Sequence, residues 1–132
     1  MLSMKAKYAT RALMVLARSE GRTMQSKAIA AQADAPVKFL EAILLELKQH
    51  GIVTSKRGIF GGYTLAKPAK EIMLGDVVRH IDGMLAPIPC ASLTAYARCE
   101  ECADGHGCAI RHAMLEVRNA ISGVLDHKTL AD

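Results

Sequence analysis

No tryptophan occurs in the 132 residues, and aromatic residues of any kind reach only 4%, as two phenylalanines and three tyrosines. A core without large rings must be filled by Leu, Ile, Val, Ala and Met, a composition that favours helices. Long hydrophobic runs are lacking too: no stretch of about 18 apolar residues occurs, which excludes a helical membrane span. The opening MLSMKAKYATRAL has neither the apolar run nor the small-residue cleavage site of a secretory signal. The expected location is therefore the cytoplasm. Internal repeats and low-complexity segments are absent as well. Cysteine is missing from the 113 residues outside positions 90–108, which concentrates all thiol chemistry in one place.

What is present begins with the charge. Net charge is +4, but residues 1–80 hold 13 Lys/Arg against 6 Asp/Glu, whereas residues 81–132 hold 4 against 7. The positive field belongs to the first half, and a basic lobe of this kind favours a polyanion, most often nucleic acid, with a solvated basic face as the plainer alternative. The length fits one compact domain, small enough to gain from a dimer interface.

Apolar residues Ala9, Ala12, Leu13 and Leu16 recur at spacings of three and four, which predicts a helix from Lys5 to Arg18 that ends before Gly21. Ser26 reads as the N-cap of a short second helix through Ala33, and Pro36 opens a third helix over Val37 to His50. That helix is expected to turn Phe39, Leu40, Ile43, Leu44 and Leu47 inward, with Gly51 as its stop. Two short helices at this spacing predict a helix-turn-helix. Residues 52–56 and 63–66 read as a pair of short strands around the turn Arg57-Gly58-Ile59-Phe60-Gly61-Gly62, a hairpin in the position of a wing with Lys56 and Arg57 at its tip. A fourth helix is expected from Met73 to Ile81, stopped by Gly83, and a last one from Ala109 to Leu125. The stripe Ile110, Met114, Val117, Ile121 and Val124 on the last helix suits either a core face or the seam of a dimer, and a winged DNA reader normally works as a symmetric pair. The fold class is thus mainly α: a winged helix-turn-helix region at 1–83, a cysteine-rich loop at 84–108, and a dimerisation helix and tail at 109–132.

The strings Lys7-Tyr8-Ala9, Arg11-Ala12-Leu13, Phe39-Leu40-Glu41, residues 51–58 (GIVTSKRG), Gly61-Gly62-Tyr63-Thr64-Leu65, Gly75-Asp76-Val77-Val78 and Ile81-Asp82-Gly83 closely resemble the Rrf-two family of bacterial winged helix-turn-helix regulators. The resemblance extends over essentially the whole chain. It implies a transcriptional regulator, not an enzyme, that binds an operator in double-stranded DNA as a homodimer, without membrane or small-molecule substrate. It also implies that Lys38 and Glu41 face the major groove and that Arg57 enters the minor groove; Lys56 and Tyr63 complete the candidate DNA-contact set. Glu41 could accept from a cytosine amino group, or be a plain solvent-facing carboxylate, and an arginine suits the negative potential of a narrow minor groove. Lys38 departs from the small hydroxyl residue that relatives often carry, so a different preferred operator is expected.

All four cysteines, Cys90, Cys99, Cys102 and Cys108, fall in one stretch with the pattern C-x8-C-x2-C-x5-C. In a reducing compartment such clustering points to metal ligands or redox-active thiols. Cluster-binding members of the resembled family use three cysteines and a fourth, different ligand. Here both Cys90 and Cys99 precede Cys102-x5-Cys108, three residues separate Cys108 from His112, and position 8 in the first helix is Tyr8, not a carboxylate. The simplest expectation is that all four thiolates ligate, with His106 and His112 as minor candidates. Four thiolates suit an iron–sulfur cluster (2Fe-2S or 4Fe-4S) and tetrahedral zinc alike, and direct thiol sensing with no cofactor stays open beside them. Glu100, Glu101 and Asp104 would lower a cluster's potential, partly offset by Arg98 and Arg111. A thiol oxidoreductase built on Cys99-x2-Cys102 is the remote alternative, since that motif belongs beside a βαβ pattern that the chain lacks. The favoured reading is a regulator whose operator affinity follows iron, redox or nitric oxide status.

Overall fold

The computed structural model describes residues 2–85, 87, 89–92, 97 and 109–132. Helix α1 (Met4–Arg18) lies at the centre, with α2 (Ser26–Ala33), α3 (Val37–Gln49) and α4 (Leu74–Asp82) packed around it. The reason is its small-residue face: Ala6, Ala9 and Ala12 are fully buried beside Leu13 and Leu16, and alanines let neighbouring helix backbones approach closely while the leucines fill the space between. Ile29 of α2, Leu40, Ile43, Leu44 and Leu47 of α3, and Val77 and Ile81 of α4 close the same core. Ser3 caps α1 by accepting from the Ala6 amide at 3.0 Å, and its own amide and hydroxyl donate to the Asp82 carboxylate, so the start of α1 is tied to the end of α4.

The helix pair and the wing fall where the spacing puts them, with two corrections. Ser26 is the first residue of α2, not its cap: Gln25 occupies the cap position, with no side-chain hydrogen bond to the helix. The serine hydroxyl points to α3 instead and donates to Glu41 Oε1 at 3.2 Å. Phe39 does not face inward. It is 41% exposed and meets the edge of the Tyr8 ring, centroids 5.6 Å apart, on the rim of the α1–α3 contact. The core positions of α3 recur at 40, 43, 44 and 47, and on a 3.6-residue helix a residue one step before Leu40 lies about 100° away from it.

Strands β1 (Val53–Lys56) and β2 (Gly62–Leu65) pair antiparallel in the register Val53 with Leu65 and Lys56 with Gly62. The hairpin is anchored at its base, where the Ala66 amide donates to the Ile52 carbonyl at 2.9 Å and Val53 is buried. Tyr63 and Met24 exchange both backbone hydrogen bonds, at 2.7 and 3.0 Å. This bridge stitches the wing to the chain entering α2. Gly62, at φ 143°, makes the bridge possible, because a Cβ there would run into the Met24 carbonyl.

After a 3-10 turn at Ala69–Glu71, α4 ends as expected on Gly83 in the left-handed conformation. The C-terminal tail returns onto the start of α4: the Leu74 amide donates to the Lys128 carbonyl, the Leu130 amide to that of Ile72, and Leu130 is buried. A second 3-10 turn, Pro89–Ala91, packs against the last helix, α5 (Ala109–Leu125). No residue of α5 is buried.

Candidate nucleic-acid interface and cysteine segment

Lys38 and Glu41 lie three apart on α3, one turn of the same face, and both are exposed. Lys56 and Arg57 are exposed, but at the end of β1 and the start of the wing turn and not at its tip, where the Gly58–Gly61 turn places Ile59 and Phe60 instead. The N-terminal end of α2 comes between them: Gln25, Ser26 and Lys27 line one concave surface together with Glu41, Lys56, Gly58, Gly61, Gly62 and Tyr63. Four of the five expected contact residues are therefore exposed side chains, and Glu41, Lys56 and Tyr63 share one surface. Tyr63 differs in kind. Its backbone is committed to the Met24 bridge and its ring is half-buried against the core, so it forms the floor of the concavity.

The electrostatics favour a polyanion on this side. Lys27, Lys38, Lys56 and Arg57 carry positive charge there against the single carboxylate of Glu41. Two basic residues elsewhere are paired within the chain. Lys5 pairs with Glu46, and Arg79 holds Asp126 through two parallel bonds of 2.7 Å while reaching Asp76 at 3.3 Å. The hydrogen bonds from Arg79, joined by Ser122, hold the Asp126 carboxyl down to about 2, and the same contact raises the Arg79 guanidinium above its ordinary value.

Of the four cysteines, Cys90 lies within the described residues, and Cys99, Cys102 and Cys108 lie outside them, as does His106. Cys90 sits in the Pro89–Ala91 turn and is 7% exposed, followed in the chain by the buried Ala91 and Ser92. Its carbonyl accepts from Arg111 Nε at 3.0 Å, so the first cysteine is bonded directly to the first turn of α5. His112 is on the next position of that helix. Along α5 the stripe spacing of 110, 114, 117, 121 and 124 alternates four and three, the repeat of a two-helix seam. Ile110, Val117 and Val124 are 66%, 40% and 56% exposed.

Sequence reasoning missed three features. Ser26 was read for its cap and not for its bond to Glu41. The Arg79–Asp126 clamp joins residues 47 apart in sequence, a distance no local pattern reports. Ile59 and Phe60 at the wing tip, 87% and 91% exposed, were read as part of a turn, although two apolar residues at a turn apex break the polar rule for such positions and were a signal in plain view.

Known proteins bear on this arrangement. Residues 2–132 match the family model Rrf2, described as an iron-dependent transcriptional regulator. An rrf2-like HTH-type transcriptional regulator of Rhodobacter capsulatus is 40% identical over 136 residues, covering 100% of this chain and 91% of its own. The structure of CymR, the global cysteine regulator of B. subtilis, superposes with a TM-score of 0.79 at 29% identity, covering 100% of this chain and 94% of that one. IscR of T. potens follows with a TM-score of 0.75 at 28% identity, over 100% and 84%. Among the described residues no helix is long and apolar enough to cross a membrane. Its wing, its exposed α3 face and its match over nearly every residue make this chain a member of the Rrf2 family, a winged helix-turn-helix transcriptional regulator and not an enzyme.

Proposed function

We propose that the protein is a homodimer that reads an operator with α3 and the wing, and that a soft metal centre held by Cys90, Cys99, Cys102 and Cys108 sets its affinity. One observation carries the reading: the Cys90 turn is bonded through Arg111 to α5, a helix whose apolar stripe is left unburied among the described residues. Covering that stripe with the same stripe of a second copy satisfies two-fold symmetry and removes the exposed apolar area from water. Anything that fixes the cysteine loop then acts on the helix that spaces the two recognition heads.

The donor chemistry fits an iron–sulfur cluster. Four thiolates match its usual ligand set, and the Cys90 thiol lies in a nearly water-free setting that suits a soft centre. A bound cluster would supply a redox- and iron-sensitive group that comes and goes with cellular conditions. The chain's own part is mechanical. Cys90 and Cys108 bracket the loop and Arg111 links its near end to α5, while Arg79 and Asp126 pin the far end of α5 to α4. The family description as iron-dependent supports this reading. Structural zinc and direct thiol sensing use the same four residues, and the resemblance to a cysteine regulator keeps them in view.

Anaerobic purification with a visible spectrum and with iron, sulfide and zinc analysis tests the cofactor. The reading predicts a coloured protein with iron and acid-labile sulfide, lost when Cys99, Cys102 and Cys108 are replaced by serine. Colourless protein with one zinc per chain, or with no metal at all, contradicts it in favour of the corresponding alternative.

A further inference from the structure

The tip of the wing carries two large apolar side chains that nothing in the fold explains. Ile59 and Phe60 are 87% and 91% exposed, the two most exposed large hydrophobic residues of the described chain. They are displayed by a built turn. The Gly61 amide donates to the Gly58 carbonyl at 3.0 Å, which closes a four-residue turn with Ile59 and Phe60 at its two corners. Gly61 itself is buried, and a Cβ there would collide with the carbonyls of Lys56 and Gly58. The tip is thus folded tightly back on the end of β1, with both corner side chains directed away from the protein. Leaving an isoleucine and a phenylalanine in water forfeits the stabilisation that their burial would bring. A paired exposure at a fixed apex marks a contact surface.

The position of the apex identifies the occupant. Ile59 and Phe60 follow Lys56 and Arg57 directly, and the base of the same turn, Gly58, Gly61 and Gly62, lines the concave surface shared with Glu41, Ser26 and Lys27. The apolar tip is continuous with the basic face, and strands of four residues carry it about 13 Å out from the wing's base. When α3 lies in a major groove, a projection of that reach on the flanking side arrives at the phosphate walls and the adjoining minor groove. That groove is lined by deoxyribose, the apolar part of the duplex, and it admits apolar wedges beside arginine.

We propose that Ile59 and Phe60 form an apolar contact seated in the minor groove of the bound duplex, with Phe60 against the sugar wall and Arg57 beside it supplying the charge. The inference rests on the proposed reading of DNA by the wing, and it adds a non-electrostatic contribution to that reading. A neutral contact of this kind strengthens binding without releasing counterions. It therefore raises affinity while leaving the salt dependence untouched, unlike any contact made by Lys56 or Arg57.

The test uses full-length protein and a duplex that the wild-type protein has selected from a random-sequence pool, titrated at several salt concentrations. Phe60→Ala is expected to weaken binding about tenfold, Ile59→Ala less, and the double variant most, all with the wild-type slope of log K against log salt. Arg57→Ala should weaken binding and reduce that slope by about 1 for each wing engaged. Because both corner side chains are exposed, thermal melting should not fall in any of these variants. Wild-type affinity in the Ile59→Ala/Phe60→Ala protein, alongside a defect in Arg57→Ala, overturns the wedge and leaves the wing reading in place. No effect of Arg57→Ala or of the double variant overturns both. A change in oligomeric state of the double variant by sedimentation, without a change in affinity per dimer, assigns the patch to a second copy of the chain and also overturns the proposal.

Discussion

Among the described residues, Glu41 is the only acidic side chain lining the concave basic surface, and the hydroxyl of Ser26 steadies it from α2 at 3.2 Å. A carboxylate that is to accept from a base edge gains selectivity from being aimed in advance, because its rotamer freedom is spent before DNA arrives. Ser26→Ala should therefore reduce discrimination among base substitutions at the pair facing Glu41 by about 2- to 10-fold, the range of one hydrogen bond, with little change in affinity for unrelated duplex. Competition titrations against single-base variants of the selected duplex measure this; unchanged discrimination would show that the contact is incidental. The sequence disclosed both residues but not their relation. A serine just ahead of an apolar run is a good cap by every local rule, and only the packing of α2 across α3 turns its hydroxyl elsewhere. Phe39 was misread for a similar reason: its hydrophobicity was legible, while the angular difference from Leu40 that sends it to the rim against Tyr8 is a matter of helix phase.

Among the described residues, α5 is bonded to the rest of its own chain near its two ends, through Arg111 and through the Arg79–Asp126 clamp. Gly75 gives Asp126 its room: a Cβ at that position would strike the Asp126 carboxylate. Gly75→Ala should cost about 1–3 kcal/mol through overpacking and loss of the clamp. In an Asp126→Ala background the obstacle is gone, and the same change should become neutral or stabilising by about 0.5–1 kcal/mol, as alanine is in a helix. Equal destabilisation in both backgrounds, by thermal melting, would remove this account of the glycine.

The clamp also sets a pH dependence. Asp126 titrates at about 2 in the folded chain against an ordinary 3.8, so its contribution is fully present above 3.8 and is lost as pH falls through 2. Asp126→Asn should lower stability by about 1–2 kcal/mol near neutrality, and the gap from wild type should shrink as pH drops across that window. A gap that stays constant to pH 2 contradicts the assignment. The helices, the wing and their order were legible because apolar spacing, glycine and proline are local signals. The clamp was not, because it joins residues far apart in the chain.

At the scale of the whole molecule, the proposed function divides the chain into a reading region at 1–83, a cysteine loop at 84–108 and a helix and tail at 109–132, and links them mechanically. On the proposed reading, the exposed stripe of Ile110, Val117 and Val124 is the seam between two copies. Val117→Glu places a charge at the centre of that seam twice over and should weaken self-association by about 100-fold or more. Sedimentation equilibrium reads this directly, and an unchanged dimer would move the interface elsewhere. The chemistry of the thiols was only partly legible. Spacing gathers Cys90, Cys99, Cys102 and Cys108 into one segment, yet four thiolates describe iron–sulfur, zinc and bare thiol chemistry equally well. The bond between the Cys90 carbonyl and Arg111 supplies what spacing lacks, a route from that segment to α5. The most direct test is a titration of one selected duplex, at fixed salt, with cluster-loaded and cluster-free protein. The account predicts affinities differing by about 5- to 150-fold, the usual span of an allosteric coupling; equal dissociation constants would contradict it.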